Sequence, residues 1–231
     1  MTDNSKDEFI EIARIKEEFI ANASHELKTP IASVRLAAES ALTSLERDDG
    51  MTKSFLEQIL RDSDRMNELI SDLLDLSAME SSDVFMEAFD LHDVIANEIS
   101  YLSKQNKKRI SYKKKKVEIN SNFDDISLAV KNLIKNALKY SPPEENILIQ
   151  IEENDKSVRC SFQDFGSGIS KSDQEKIFER FYRVDKGRSR KVGGTGLGLA
   201  IVKHALDRNI AVIEIVSVLD HGSIFTIVFL K

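Results

Sequence analysis

Two long apolar stripes at helical spacing, separated by one short polar turn, constrain this chain more than any other feature. In the first, Ile12, Ile15, Phe19, Ala23, Leu27, Ile31, Val34, Ala38, Ala41 and Leu45 recur every three or four residues. That spacing predicts one amphipathic helix over residues ~8–46. Arg47-Asp-Asp-Gly50 reads as a turn with Gly50 as terminator, and Thr52 as the N-cap of a second helix. There Phe55, Ile59, Asp62, Met66, Leu69, Leu73 and Leu76 follow heptad spacing with one polar intrusion, Asp62. Two such helices joined by a short turn make an antiparallel hairpin, which alone has too little core to be stable. Pairing two hairpins into a four-helix bundle buries both stripes, so the pattern predicts a homodimer through the N-terminal helices.

Ser81-Ser82-Asp83 ends the helical pattern and divides the chain into domains 1–80 and 81–231. Beyond it, alternating runs predict strands at Val84–Phe89, Arg109–Tyr112, Val117–Asn120, Ile147–Glu153, Val158–Asp164, Ile210–Val218 and Ser223–Leu230. Helical patterns cover Asp90 to about Gln105, Asp125–Tyr140 and Thr195–Arg208. Strands grouped with three helices indicate a two-layer α+β sandwich.

Charge is split unevenly: residues 1–80 carry 18 Asp/Glu against 9 Lys/Arg, and the remainder 21 against 24. An acidic helical stem joined to a slightly basic remainder suits an anionic small ligand in the second part and does not suit nucleic acid, because the helices lack a basic face. No apolar run approaches the ~18 residues that span a bilayer, and the polar N-terminus does not resemble a signal peptide. With a single cysteine, Cys160, in an alternating segment, no internal disulfide forms; a reduced cytoplasmic setting and a core role for Cys160 follow.

Four stretches carry chemistry. In Ser24-His25-Glu26-Leu27-Lys28-Thr29-Pro30, His25 stands nearly opposite the apolar stripe, with its imidazole facing water. Glu26 can meet a ring N–H and support charge on the ring. Thr29 follows one turn later, and Pro30 removes a helix hydrogen bond just past the site. In Asn132-Leu-Ile-Lys-Asn136-Ala-Leu-Lys139-Tyr140, two carboxamides and an ammonium share one helix face, where amide oxygens suit Mg²⁺ and the cation suits phosphate. Asp164-Phe-Gly166-Ser-Gly168 puts a carboxylate at a strand end, followed by glycines that admit a ligand closely. Gly193-Gly194-Thr195-Gly196-Leu197-Gly198 runs straight into an apolar helix and offers backbone N–H groups and a positive dipole end to phosphate. No Lys-Ser/Thr follows the last glycine, so this is not a Walker loop.

The block from Phe19 to Ile31 resembles the H-box of bacterial sensor histidine kinases. The Asn132–Pro142 run resembles that family's N-box, Asp164–Ile169 its G1 box, Ile177–Arg183 its F-box and Gly193–Lys203 its G2 box; Phe165 stands where Asn is more usual. The resemblance covers residues 10–231, with the boxes in order. It implies a histidine kinase/gyrase/chaperone-type ATP-binding domain behind a dimerisation and phosphotransfer hairpin. It implies ATP with Mg²⁺ held by Asn136. Asn132, Lys139 and Tyr140 would line the nucleotide, Asp164 would contact adenine, and Gly166, Gly168, Gly194, Thr195, Gly196, Leu197 and Gly198 would cradle it. Arg183 and Lys186, in a basic loop from Ser170 to Lys191, would meet the γ-phosphate.

The activity so implied is autophosphorylation of His25, assisted by Glu26, and transfer to an aspartate of a response regulator receiver domain. His25-Glu26-x-x-Thr29 also matches the family's phosphatase motif. Most relatives are membrane receptors, so the chain, with no membrane segment of its own, reads as cytoplasmic, either the cytoplasmic portion of a membrane-anchored receptor or a natural soluble kinase. The competing expectation is an ATP-binding dimeric scaffold of the same superfamily without phosphotransfer, from which His25 and Glu26 distinguish the chain.

Overall fold

The computed structural model describes residues 4–47, 50–184 and 194–231. The chain forms two compact units, Met1–Leu73 with Gly193–Thr195, and Leu74–Val192 with Gly196–Lys231.

The first unit is built on helix α1 (Asn4–Arg47) and most of helix α2 (Thr52–Ser81). Helix α1 runs through Pro30 without interruption, and Gly50 takes φ 74° in the turn. Three side-chain bonds set the register: Thr52 to Ser44 at 3.1 Å, Gln58 to Ser33 at 3.0 Å and Arg65 to Glu26 at 3.0 Å. Rising positions on one helix meet falling positions on the other, so the pair is antiparallel. The Thr52 hydroxyl is thus directed at Ser44, and the first turn of α2 is closed instead by bonds from Ser54 and Phe55 to the Met51 carbonyl.

The buried seam includes Pro30, Ala37, Ala41 and Ser44 on α1, and Leu69 further along α2. Ile31 and Leu45, expected on the α1 stripe, are instead 55% and 64% exposed. One facing helix covers only a narrow seam, and the wider ~100° apolar arc extends beyond it. Ile12 and Ile15 lie outside the described side chains. A second apolar row is uncovered on both helices: Ile20, Ile31 and Leu42 on α1, Leu56, Leu60 and Ile70 on α2.

In the second unit, strand β1 (Glu87–Asp90) leads into α3 (Leu91–Ser100), a short α4 (Lys104–Lys108) and β2 (Ile110–Tyr112). Then come β3 (Glu118–Ser121), α5 (Phe123–Tyr140) and the hairpin β4 (Ile147–Glu153) and β5 (Ser157–Asp164). A short α6 (Lys171–Gln174) and a 3-10 turn (Lys176–Phe178) follow, then α7 (Gly198–Arg208), β6 (Ala211–Val218) and β7 (Gly222–Leu230). The five-stranded sheet has order β2-β4-β5-β7-β6. Its pairs are antiparallel except β2 with β4. Strands β1 and β3 form a separate antiparallel pair.

Helix α5 packs on α3, α7 and β5. Its fully buried Ile126, Leu133 and Ile134 meet a core that includes Ile147, Ile149, Phe162 and Ile201, each side chain contributing roughly 1.5–3 kcal/mol by leaving water. The helical run expected from Asp90 to about Gln105 breaks after Ser100. Ser103 accepts a bond from Asn106 N–H and caps a new turn, the local side-chain bond that makes Ser a helix starter. Helix α5 begins two residues earlier than expected because Asn122 is its N-cap, accepting from Asp125 N–H at 3.0 Å.

Candidate nucleotide-binding and phospho-acceptor sites

Helix α5 is held at both ends. At its start, Asn209 at the end of α7 forms a buried network. Its Oδ1 accepts from Ser121 Oγ and Asn122 N–H, and its Nδ2 donates to Asp125 Oδ2 and to the Ala205 carbonyl. Arg208 pairs with the same Asp125 carboxylate at 3.0 Å. At its end, Arg109 donates to the carbonyls of Leu138 (3.1 Å), Ser141 (3.2 Å), Pro142 (2.8 Å) and Glu145 (3.3 Å). A helix leaves its last four carbonyls without intrahelical partners, and one planar guanidinium covers this end and the turn after it. Neither Asn209 nor Arg109 carries a local signal, because the partners they hold across elements lie 29–88 positions away.

Between these anchors α5 presents the carboxamides. Asn136 is half-buried. Lys139 Nζ lies 5.3 Å from the Tyr140 ring centroid, a cation–π distance, and Tyr140 is 48% exposed. Asn132 is buried, and its Nδ2 donates to the Leu128 carbonyl at 2.9 Å. Its Oδ1 lies 2.9 Å from where a Cβ on Gly198 would stand. Asn132 thus stands where α5 and the start of α7 approach too closely for any side chain at 198.

Asp164 ends β5 and is buried. Its Oδ1 accepts from Gly166 N–H (2.9 Å) and Ser223 N–H (3.2 Å). Burial raises its pKa above the ordinary aspartate value, and the bonds from Gly166 and Ser223 oppose that rise. A Cβ at Gly166 would lie 2.4 Å from the Tyr140 carbonyl oxygen, so the G1 turn is seated directly on the end of α5. Ser141 Oγ ties the two further by accepting from Phe165 N–H at 3.1 Å. Gly168 lies against the backbone of Val218.

Gly196 accepts from Phe181 N–H at 2.9 Å, and Leu197 is fully buried at the start of α7. No side chain caps that start, which carries the positive end of the helix dipole. Gly194 and Thr195 group with the first unit. Thr195 is buried, its hydroxyl donating to Asp72 Oδ2 at 2.5 Å. Arg183 is half-buried after the 3-10 turn; Lys186 lies outside the described residues, with the rest of 185–193. Asp164 and Gly166 thus meet the end of α5 at Tyr140, and the start of α7 meets α5 at Asn132.

On α1, His25 is exposed. Thr29 Oγ1 donates to the His25 carbonyl at 3.3 Å, a back-bond common for helical Thr. Glu26 pairs with Arg65 of α2 at 3.0 Å, with side-chain exposures of 29% and 18%. Sequence reasoning missed Arg65. His92, outside every motif, is buried and bonds Tyr112 OH through Nδ1 at 2.8 Å. Among the described residues no group of three or more His, Cys, Asp or Glu is arranged to hold a metal ion by itself, and no helix is long and apolar enough to cross a membrane.

The His Kinase A (phospho-acceptor) domain family matches residues 15–82, and the histidine kinase-, DNA gyrase B- and HSP90-like ATPase family matches residues 121–231. The sensor-like histidine kinase SenX3 of Mycolicibacterium smegmatis is 34% identical over 224 residues, covering 92% of this chain and 56% of that protein. The phosphate regulon sensor protein PhoR of Pseudomonas aeruginosa is 36% identical over 224 residues, covering 94% and 50%. The chain thus spans about half the length of these curated relatives. Among solved structures, the Acinetobacter baumannii histidine kinase AdeS superposes with TM-score 0.66 at 23% identity over 89% of this chain and 97% of that one. Histidine kinase ThkA, solved in complex with response regulator protein TrrA, gives TM-score 0.74 at 19% identity, covering 96% and 63%.

Proposed function

This chain belongs to the sensor histidine kinases, and from that premise we propose that it phosphorylates its own His25 from ATP and passes the phosphoryl group to an aspartate of a response regulator. The observation that carries this reading is the pairing, in one chain, of a water-exposed imidazole flanked by Glu26 on α1 with the cradle of Asn136, Asp164 and the uncapped start of α7.

In this reading Asp164 accepts from the adenine amine, and Gly166 lets the base lie close to the end of α5. The first N–H groups of α7 receive the phosphates, with Lys139 and Arg183 adding charge. The Asn136 carboxamide is a hard oxygen donor on the face of α5 turned to the phosphates, and so fits Mg²⁺. Bound there with the nucleotide, Mg²⁺ would neutralise phosphate charge. One imidazole nitrogen of His25 attacks the γ-phosphorus, the bond from that phosphorus to the bridging oxygen breaks, and ADP leaves with the electron pair. The other ring nitrogen gives its proton to Glu26, so the ring ends as a neutral phosphoimidazole. Receipt by a regulator's aspartate regenerates His25. Thr29, one turn beyond, would orient a water that attacks the regulator's phosphoaspartate, breaking the acyl phosphate to free aspartate and inorganic phosphate.

The uncovered second row on α1 and α2 supports dimerisation through the hairpin, with residues 1–80 as the phosphotransfer domain and 81–231 as the catalytic domain. A cytoplasmic location accords with this chemistry. Incubation with radiolabelled ATP and Mg²⁺ tests the reading. Wild type should acquire acid-labile label, His25→Gln none, and Asn136→Ala little. Acid-stable label, or label retained in His25→Gln, would sink it.

A further inference from the structure

The phospho-acceptor helix carries a feature that no sequence motif marks. Glu26 does not stand alone beside His25: its Oε2 accepts from Arg65 Nη2 at 3.0 Å, across the seam from α2. The guanidinium is 18% exposed and the carboxylate 29%, so this pair is shielded more than the i,i+4 pairs elsewhere on these helices, such as Arg35 with Glu39 at 82% and 60%. Neighbouring residues on a helix project ~100° apart. Glu26 therefore leaves α1 on the flank between the water-facing His25 and the seam, where it is within reach of a cation from α2. One turn before Arg65, Asp62 Oδ2 is buried without a hydrogen-bond partner among the described residues. A second carboxylate thus lies one turn away on α2, yet the cation of Arg65 is bonded to Glu26.

We propose that Arg65 is a positioning residue for phosphoryl transfer: it holds one oxygen of the Glu26 carboxylate so that the other is presented, ionised, to the ring N–H of His25. This rests on the phosphotransfer reading above. A glutamate has three rotatable bonds, and an unanchored one spends most of its time away from a neighbouring ring. An arginine binds a carboxylate through directed donors and can occupy one oxygen while leaving the second free. The seam itself does not require the pair for cohesion, since part-exposed ion pairs contribute little to stability, and its packing comes from Pro30, Ala37, Ala41 and Leu69.

The test is a double-mutant cycle on autophosphorylation rate at saturating ATP, with the KM for ATP measured beside it. Arg65→Gln should lower kcat about tenfold, a fraction of what general acid–base catalysis supplies, with KM unchanged. Arg65→Lys should recover part of the loss. In a Glu26→Gln background, Arg65→Gln and Arg65→Lys should produce no further loss. An Arg65→Gln rate within twofold of wild type, or losses at the two positions that multiply, would overturn the role. So would a fall in kcat matched by a rise in KM. If Arg65→Gln melts out of the folded state, Arg65→Lys with and without Glu26→Gln still decides the matter. Failure of the wild-type chain to label at His25 would refute the phosphotransfer reading instead.

Discussion

Arg109→Ala should loosen the catalytic unit at the end of the helix that carries its site. The guanidinium serves four carbonyls. The 3.3 Å bond to Glu145 is at the long end and exposed, so it adds little. The other three, to Leu138, Ser141 and Pro142, lie at 2.8–3.2 Å and are part-buried. Hydrogen bonds from a charged donor contribute about 1.5–3 kcal/mol each, but water reaches a half-buried site and takes over part of the loss. A favourable charge–dipole interaction of roughly 0.3–1 kcal/mol at the helix C-terminus disappears as well. The net expectation is destabilisation by about 2–4 kcal/mol, a fall in Tm of roughly 4–16 °C for a unit of this size. Arg109→Lys keeps the charge but not the fork, and should retain less than half of the stabilisation. Thermal and urea unfolding followed by circular dichroism measures both. Function should follow, because Gly166 is seated on the Tyr140 carbonyl: fraying of α5 displaces the G1 turn and raises the KM for ATP. A loss below about 1 kcal/mol in Arg109→Ala, or a lysine variant equal to wild type, would refute this account of how α5 is held.

Two further outcomes follow from the cradle. Gly198→Ala places a methyl 2.9 Å from Asn132 Oδ1; it should lower nucleotide affinity at least about tenfold while costing about 1–3 kcal/mol, the usual range for overpacking. Asn132→Ala should relieve the clash in the double variant, and calorimetry that finds nucleotide affinity unchanged in Gly198→Ala would count against a tight α5–α7 contact. Asp164, whose pKa burial raises, must be ionised to accept two bonds from backbone and one from adenine. Nucleotide affinity should therefore fall on acidification with a midpoint above 3.8, the ordinary value. The sign for stability is opposite. A carboxyl with a raised folded-state pKa favours the fold below its unfolded value, and that favour is lost as pH rises through the folded one. Asp164→Asn should thus keep or gain Tm near neutral pH while losing about 10–100-fold in nucleotide affinity, the equivalent of one charge-assisted bond. A destabilised Asn variant that still binds nucleotide would contradict it.

What the sequence revealed of this molecule was whatever depends on near neighbours. The period of three to four in α1, α2 and α5 and the period of two in β4 and β5 arise from which face each element buries, and near neighbours suffice to show it. The strand ends Ile147–Glu153 emerge at the expected residues because turns with local side-chain bonds bound them: Asn154 Oδ1 accepts from Lys156 and Ser157 N–H. The break after Ser100 was obscured because apolar spacing continues across it while Ser103 restarts the helix. The α1 stripe is wider than the seam that one facing helix covers. Periodicity locates the centre of an apolar arc, and only the partner helix decides that Ala37 is inside while Ile31 is outside.

Asn132 shows the same limit within the site. A carboxamide one turn from Asn136 has the right spacing for a ligand, but it also lies against the start of α7 at Gly198, and spacing along α5 cannot reveal how closely α7 approaches. Arg109, Asn209 and Arg65 were beyond reach for one common reason. Each satisfies groups at least 29 positions away, so each is an ordinary surface-type residue until the chain has folded. The division has a physical logic. Residues expected to touch nucleotide or phosphoryl group sit in short motifs, because a glycine-rich turn and the helix it starts are built from adjacent residues. The residues that hold those motifs in place need only a donor in reach, which any element packed nearby can supply. If that is right, variants of the three holding residues should alter rates, affinities and melting points by graded amounts, whereas His25→Gln removes the labelled product altogether.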